Sequence, residues 1–298
     1  MKKFAKIVSL IAAICAGVGL LLILVGGING GFVKAQNIDK GYLHVGPGRF
    51  YIGNHSNDLS GENVVKDGEQ ITVSKDGIKD AVISVGATEL EIVPAKGDEV
   101  VVINDTHEKV EVYVDDGCLM IDTPDDTKIS LGGEKRKLTV ELPAMTYENF
   151  ELKLGAVDAE ITTDINCTHF LCEIGAGNVD AKCTINAKEA DIDVGAGNLS
   201  ITKLYVDNMD ADVGMGNFDM GGDVKGDLDA DTGMGNISLK VESAREDHNY
   251  DIDVSAGAVT LGNQVYSAAS NEYSEDNGSE HCYDIDCSMG SVDVIFVK

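Results

Sequence analysis

From Phe170 to Lys240 apolar and polar residues alternate with a period of two, interrupted at regular intervals by a short glycine phrase. Counted from the first Gly of each phrase, positions −5, −3 and −1 hold Phe170/Cys172/Ile174, Ala190/Ile192/Val194, Met209/Ala211/Val213 and Leu228/Ala230/Thr232. Positions +4 and +6 hold Val179/Ala181, Leu199/Ile201, Phe218/Met220 and Ile237/Leu239. A period of two predicts strands with one buried face. The phrases themselves, Gly175-Ala176-Gly177-Asn178, Gly195-Ala196-Gly197-Asn198, Gly214-Met215-Gly216-Asn217 and Gly233-Met234-Gly235-Asn236, start 20, 19 and 19 residues apart (195−175, 214−195, 233−214). Columns held in register over so many units fit a coil that advances one strand spacing, roughly 4.8 Å, per turn. The expected fold is therefore all-β, a β-solenoid or β-roll with rungs of 19–20 residues. Gly and Asn at each corner are expected to supply positive φ at a tight bend.

Weaker rungs extend the pattern both ways. Upstream, Gly86 follows Ala81, Ile83 and Val85, and Gly155 follows Phe150, Leu152 and Leu154; downstream, Ser255 and Ser288 take the place of the first Gly, 33 residues apart. The excess over one rung falls on the polar stretch 264–280, expected to be an exposed loop. Residues 162–298 thus read as the regular solenoid with that insertion. Residues 70–161 read as an irregular β entry half, with short β-branched runs at Val100 to Ile103, Val110 to Val114, Leu119 to Ile121, Lys128 to Leu131 and Leu138 to Leu142. An end of the stack must be covered, and this half is expected to cap it.

The N-terminus changes the picture of where such a stack sits. Residues 1–6 are basic, and Ile7 to Ile28 form 22 residues without a charge, long enough to cross a hydrocarbon core of roughly 30 Å as a helix. Residues 29–69 read as a linker and irregular entry. Val33-Lys34-Ala35 leaves removal of the apolar segment open. With lysines before the span and the acidic mass after it, the expectation is a single-pass cell-membrane protein with residues 1–6 in the cytoplasm and the C-terminal domain extracellular.

Charge narrows the partners. Fifty-one acidic residues oppose 23 basic ones, a formal net charge of −28, which repels nucleic acid and favours cationic ligands. Seven cysteines include no Cys-x-x-Cys pair; Cys172 and Cys287 fall in apolar columns as small hydrophobes, and a disulfide among Cys118, Cys167, Cys183 and Cys282 is left open.

The run Ala81-Val-Ile-Ser-Val-Gly-Ala-Thr-Glu-Leu-Glu-Ile-Val-Pro94, then Leu138-Thr-Val-Glu-Leu-Pro143, Phe150-Glu-Leu-Lys-Leu-Gly155 and the Gly-Ala-Gly-Asn phrases resemble a bacterial family of β-strand-repeat proteins, an adhesin-like domain of unknown function. The resemblance covers residues 70 to 298. It implies a surface-exposed β-repeat domain behind a membrane anchor, linked to the cell envelope, and it brings no catalytic residues.

Outward positions −4 and −2 carry Asp191/Asp193, Asp210/Asp212, Asp229/Asp231, Asp251/Asp253 and Asp284/Asp286, continued by Glu173 and Glu151. At about 5 Å each stacked pair repels by roughly 0.8 kcal/mol even at water's dielectric constant, from 332/(80×5). Two readings follow. The face is a solvated one that keeps the roll soluble, or Asp191, Asp193, Asp210, Asp212, Asp229, Asp231, Asp251 and Asp253 hold cations, with Ca²⁺ the candidate metal; cationic peptides are the alternative ligand. No other cofactor is expected. An enzyme reading, a carbohydrate-active β-helix acting on polysaccharide, needs a basic proton acceptor beside the acids. Arg49, Arg136 and Arg245 lie outside the Asp columns, and the six His residues recur at no single offset. A non-enzymatic binding or structural role at the cell envelope is therefore expected, with no catalytic residues.

Overall fold

The computed structural model describes residues 42–45, 48–51, 64–123, 136–267 and 272–297. The apolar segment 7–28, most of the linker and the run Lys128 to Leu131 lie outside the described residues. Among the described residues no helix is long and apolar enough to cross a membrane. The chain divides into two units, residues 1–60 and 61–298. In the first, Tyr42–Val45 and Gly48–Tyr51 pair as an antiparallel hairpin.

The second unit is all-β and solenoid-like. Each corner phrase joins a first-face strand, such as Glu189–Val194, to a second-face strand, such as Asn198–Val206. The first-face strands pair in parallel exactly one rung apart in chain position, Phe150↔Phe170↔Ala190↔Met209↔Leu228, and the second-face strands do the same, Ala159↔Val179↔Leu199↔Phe218↔Ile237. This register puts every apolar column inside: Phe150, Cys172, Ile192, Ala211, Leu199, Phe218 and Ile237 are all buried. Alternation then drives the intervening Asp residues outward, because successive strand side chains point to opposite faces.

Beyond the second face the pairing shifts between Ala181 and Thr184 and between Ile201 and Leu204, and a short third side follows, Ile165↔Ile185↔Leu204↔Gly222↔Val241. Each full rung is three-sided. Only two or three residues form this side, too few for a period-two signal.

The corner glycines are needed for a reason other than the expected one. Among the glycines of the four phrases only Gly177 has positive φ, at +154°, and the Asn residues have none. A Cβ on Gly175, Gly195, Gly214 or Gly233 would instead lie 2.8–3.0 Å from the carbonyl oxygen of the equivalent Gly one rung below. Stacked corners leave no room for a side chain. The Asn residues serve differently: each amide donates to the one below it, Asn198 to Asn178 at 2.7 Å, Asn217 to Asn198 at 2.5 Å and Asn236 to Asn217 at 2.7 Å.

Both ends depart from sequential stacking. The rung Asp80–Val85/Glu89–Pro94 docks on Thr146–Leu154/Asp158–Ile161, and later residues, Cys118–Asp122 and Lys137–Leu142, cover its other side. Antiparallel strands Glu99–Asp105, Val110–Asp115 and Glu69–Ser74 finish that end. Buried Asn104 ties the cap together, donating to the carbonyls of Val65 and Glu108 and accepting from Thr106. At the opposite end the last rung in sequence, Cys282–Cys287/Ser291–Phe296, is inserted between Leu228–Thr232/Asn236–Val241 and Asn249–Val254/Ala258–Leu261. The stretch 264–280, expected as a loop, supplies the strands Gln264–Ser267 and Glu272–Glu275, which pair antiparallel with the outermost rung. Backbone groups at the end of a stack need partners, and these strands provide them.

Candidate functional site: an acidic strand face

The first face carries the predicted Asp positions, and the register brings them together. Asp191↔Asp210↔Asp229↔Asp284↔Asp251 form one column and Asp193↔Asp212↔Asp231↔Asp286↔Asp253 the next. Because of the inserted rung, Asp284 and Asp286 stand between the 229/231 and 251/253 pairs. All ten Asp residues of the expected ladder are thus brought together, in columns continuous over five rungs. On one side Glu173 follows Asp193, and Lys153, opposite Glu173, ends the negative run. Lys153 is held by Glu151 at 2.8 Å. On the other side Asp251 faces Ser274 and Asp253 faces Glu272.

Among the described residues none of these ten Asp carboxylates pairs with Lys or Arg. Their electrostatics show the consequence. Desolvation, the largest cause, raises Asp191, Asp210, Asp212, Asp284 and Asp286 above the ordinary carboxylate range, and neighbouring Asp or Glu charges add to it. Asp231, between Asp212 and Asp286, is pushed up to about 6 by desolvation and then by Asp286, Asp229, Asp212 and Asp210. Burial likewise raises Glu173, the Lys153 charge opposing it.

A groove of about 450 Å³ lies where these strands begin, lined by Asp191, Asp210, Asp229, Asp284 and Asp251 together with Glu189 and Asp227. His169 pairs with Glu189 at 2.8 Å, and His281 lies 3.6 Å from Asp227.

Whether calcium fits is a question of geometry. Ca²⁺ needs six to eight oxygens converging at 2.3–2.6 Å, whereas carboxylates on a strand face project side by side. Among the described residues no three His, Cys, Asp or Glu side chains gather in a way that would hold a metal ion. Cys282 and Cys287 do not face one another either: five residues apart on one strand, Cys282 points outward and Cys287 into the core. All six described cysteines are free, so no disulfide joins Cys118, Cys167, Cys183 or Cys282.

A family profile described as Toastrack DUF4097 matches residues 78–282. No curated protein is similar enough to count as a match. Similar solved structures include a "putative adhesin" from Bacteroides fragilis, 13% identical with a TM-score of 0.42 over 76% of this chain and 97% of that one. A "putative lipid binding protein" from Parabacteroides distasonis is 17% identical, with a TM-score of 0.38 over 80% and 98%. A "putative cell adhesion protein" from Clostridium sporogenes is 14% identical, with a TM-score of 0.31 over 77% and 98%.

Proposed function

Since the chain belongs to the Toastrack DUF4097 family, we propose that it is a non-enzymatic, adhesin-like binding protein of the cell envelope, anchored through residues 7–28 and presenting its β-stack outside the cell. Its ligand is an extended polycation, such as a lysine- or arginine-rich peptide segment, laid along the Asp face. The observation that carries this reading is the unbroken double column of ten carboxylates in register over five rungs. A linear array spaced at about 4.8 Å suits a ligand with repeated positive charge better than a single ion. Each ammonium or guanidinium group that arrives relieves repulsion between stacked carboxylates as well as gaining its own attraction.

The test is fluorescence anisotropy of a labelled ten-residue oligolysine with the full chain in neutral detergent micelles. Binding should weaken steeply between 50 and 300 mM salt, about as expected for exposed charges beyond a Debye length. The variant D210N/D212N/D229N/D231N should bind at least tenfold more weakly. Equal affinity for that variant would remove the face as the binding site. Calcium at equal ionic strength should act as magnesium does; a larger rise in Tm with calcium would restore discrete Ca²⁺ sites and overturn the polycation reading.

A further inference from the structure

The corner phrase has a variable second position, and on three stacked rungs it is methionine. Backbone N–H groups of Met215, Met234 and Met289 donate to the carbonyls of Gly195, Gly214 and Gly233, each at 2.7 Å, which sets the three residues in one column on successive rungs. Met289 joins that column only because the last rung is inserted; along the chain it lies 55 residues after Met234 (289−234). Their exposures are 62%, 55% and 61%. The fold does not require the long side chain, since Ala176 and Ala196 occupy the same corner on one side and Ala256 on the other, making the same backbone bond.

Three long, unbranched thioethers with no burial to gain call for another explanation. Neighbouring strands stand about 4.8 Å apart, and each Met has three rotatable bonds, so their sulfur atoms can converge on one centre above the corner. Thioether is a soft ligand that suits a soft, monovalent metal such as Cu(I), whereas Ca²⁺ and Mg²⁺ prefer oxygen ligands. Asp212, Asp231 and Asp286 lie two residues before the corner on the same three rungs, and their field raises the local concentration of any cation. We propose that Met215, Met234 and Met289 form a thioether site for a soft monovalent cation, Cu(I) in nature, with Ag(I) as its redox-stable probe. The thioether ligands are separate from the polycation face, and the site does not require that a polycation binds there.

The test is Ag(I) titration of the full chain carrying ¹³C-methyl methionine, followed by NMR. The sequence has eight methionines, so the buried Met209 and Met220 serve as internal controls. The Met215, Met234 and Met289 methyls should shift together and saturate with one Ag(I), while the two controls stay in place. The variant M215L/M234L/M289L keeps the exposed apolar ridge but removes sulfur. It should take up one Ag(I) fewer, and the single change M234L should weaken the site at least tenfold. Silver captured by thiols leaves the three methyls unmoved, and that result overturns the proposal. So does a triple Leu variant with unchanged stoichiometry, which would leave the ridge as an apolar docking surface.

Discussion

Gly197→Ala is the sharpest test of why this chain repeats glycine. A Cβ at this corner would lie 2.6 Å from the Gly177 carbonyl oxygen and 2.8 Å from the Ile174 Cγ2 methyl. Ordinary contact begins near 3.4 Å, so the oxygen must retreat by about 0.8 Å (3.4−2.6). That oxygen is not free to move, because it accepts the Asn198 N–H at 2.8 Å and so links one rung to the next. Overpacking of this kind costs about 1–3 kcal/mol, and weakening the hydrogen bond adds about 0.5–1.5 kcal/mol. Reduced freedom of the unfolded chain returns about 0.4–1 kcal/mol. The net expectation is a loss centred on about 2 kcal/mol. For a domain of this size each kcal/mol moves Tm by about 2–4 °C, which gives a fall of roughly 4–8 °C by differential scanning calorimetry. Gly97→Ala is the matched control: nothing lies within 4 Å of its Cβ position and its backbone is outside the left-handed region. It should be neutral or slightly stabilising. Stacked rungs can also open locally, so amide exchange at Asn198 should quicken in Gly197→Ala alone. If the two variants melt within about 1 °C of each other, close backbone approach is not what the corner glycine provides.

Asn217→Ala removes two amide hydrogen bonds, one to Asn198 and one from Asn236; on an exposed corner this should cost about 1 kcal/mol, read as a Tm drop of about 2–4 °C, and no drop would mean that water replaces the ladder without loss. The six raised aspartates bind protons more tightly when folded, so the fold should gain stability as pH falls from 7 through their folded values, about 6 for Asp231, with the gain complete below the ordinary 3.8. For Asp231 the full shift corresponds to about 3 kcal/mol, which screening on an exposed strand reduces to about 1 kcal/mol. His248, lowered chiefly by burial, opposes this below its ordinary 6.5, since its contribution is present above that value and fades as pH falls. The six raised Asp residues and Glu173 outnumber the groups that oppose them, His248 and the lowered Asp67 and Glu275, which predicts a higher Tm at pH 5 than at pH 7.5, and a flatter profile in D210N/D212N/D229N/D231N; a lower Tm at pH 5 contradicts the raised values. Thiol titration of the native chain should label the half-buried Cys118 and Cys282 before Cys167 and Cys172, whose thiols burial pushes up to about 12; early labelling of Cys172 would contradict the packed column. Protease treatment of intact cells should remove the β-stack, and its survival beside cleaved surface controls would refute the outside placement.

What the sequence makes legible here is whatever the coil repeats. One-to-one register forces equivalent residues into columns, so the apolar columns and the Asp pairs can be read from spacing alone, and the structure pairs them as the spacing implies. The order of the last rungs cannot be read in that way, because the Ser255 and Ser288 rungs match the same template equally well. Their order is decided by particular contacts. The Tyr283 hydroxyl donates to the Val224 carbonyl at 2.6 Å, and the Cys282 N–H reaches the Asp227 carboxylate at 2.9 Å, both of which fasten the final rung directly onto the rung of Gly233. Period-two counting also hides the antiparallel caps, since a cap strand alternates like any other and differs only in its direction.

The inserted rung links fold to surface chemistry. Either order of the last two rungs gives five pairs of carboxylates in a row; the inserted rung sets Asp284/Asp286 beside Asp229/Asp231 and leaves Asp251/Asp253 outermost, against Ser274 and Glu272 of the capping strand. Among the described residues no Lys or Arg pairs with that row, while the corner beside it is fixed by the amide ladder and by glycines that cannot separate without breaking rung-to-rung hydrogen bonds. The carboxylates therefore cannot spread apart to reduce their repulsion. Proton uptake relieves the repulsion, in line with the raised Asp231, where the neighbouring Asp charges add to desolvation, and so does a bound cation. On the proposed polycation reading, a rigid stack turns an electrostatic cost of folding into affinity for positive charge, and variants that loosen the corner should then weaken oligolysine binding even though no carboxylate has been changed.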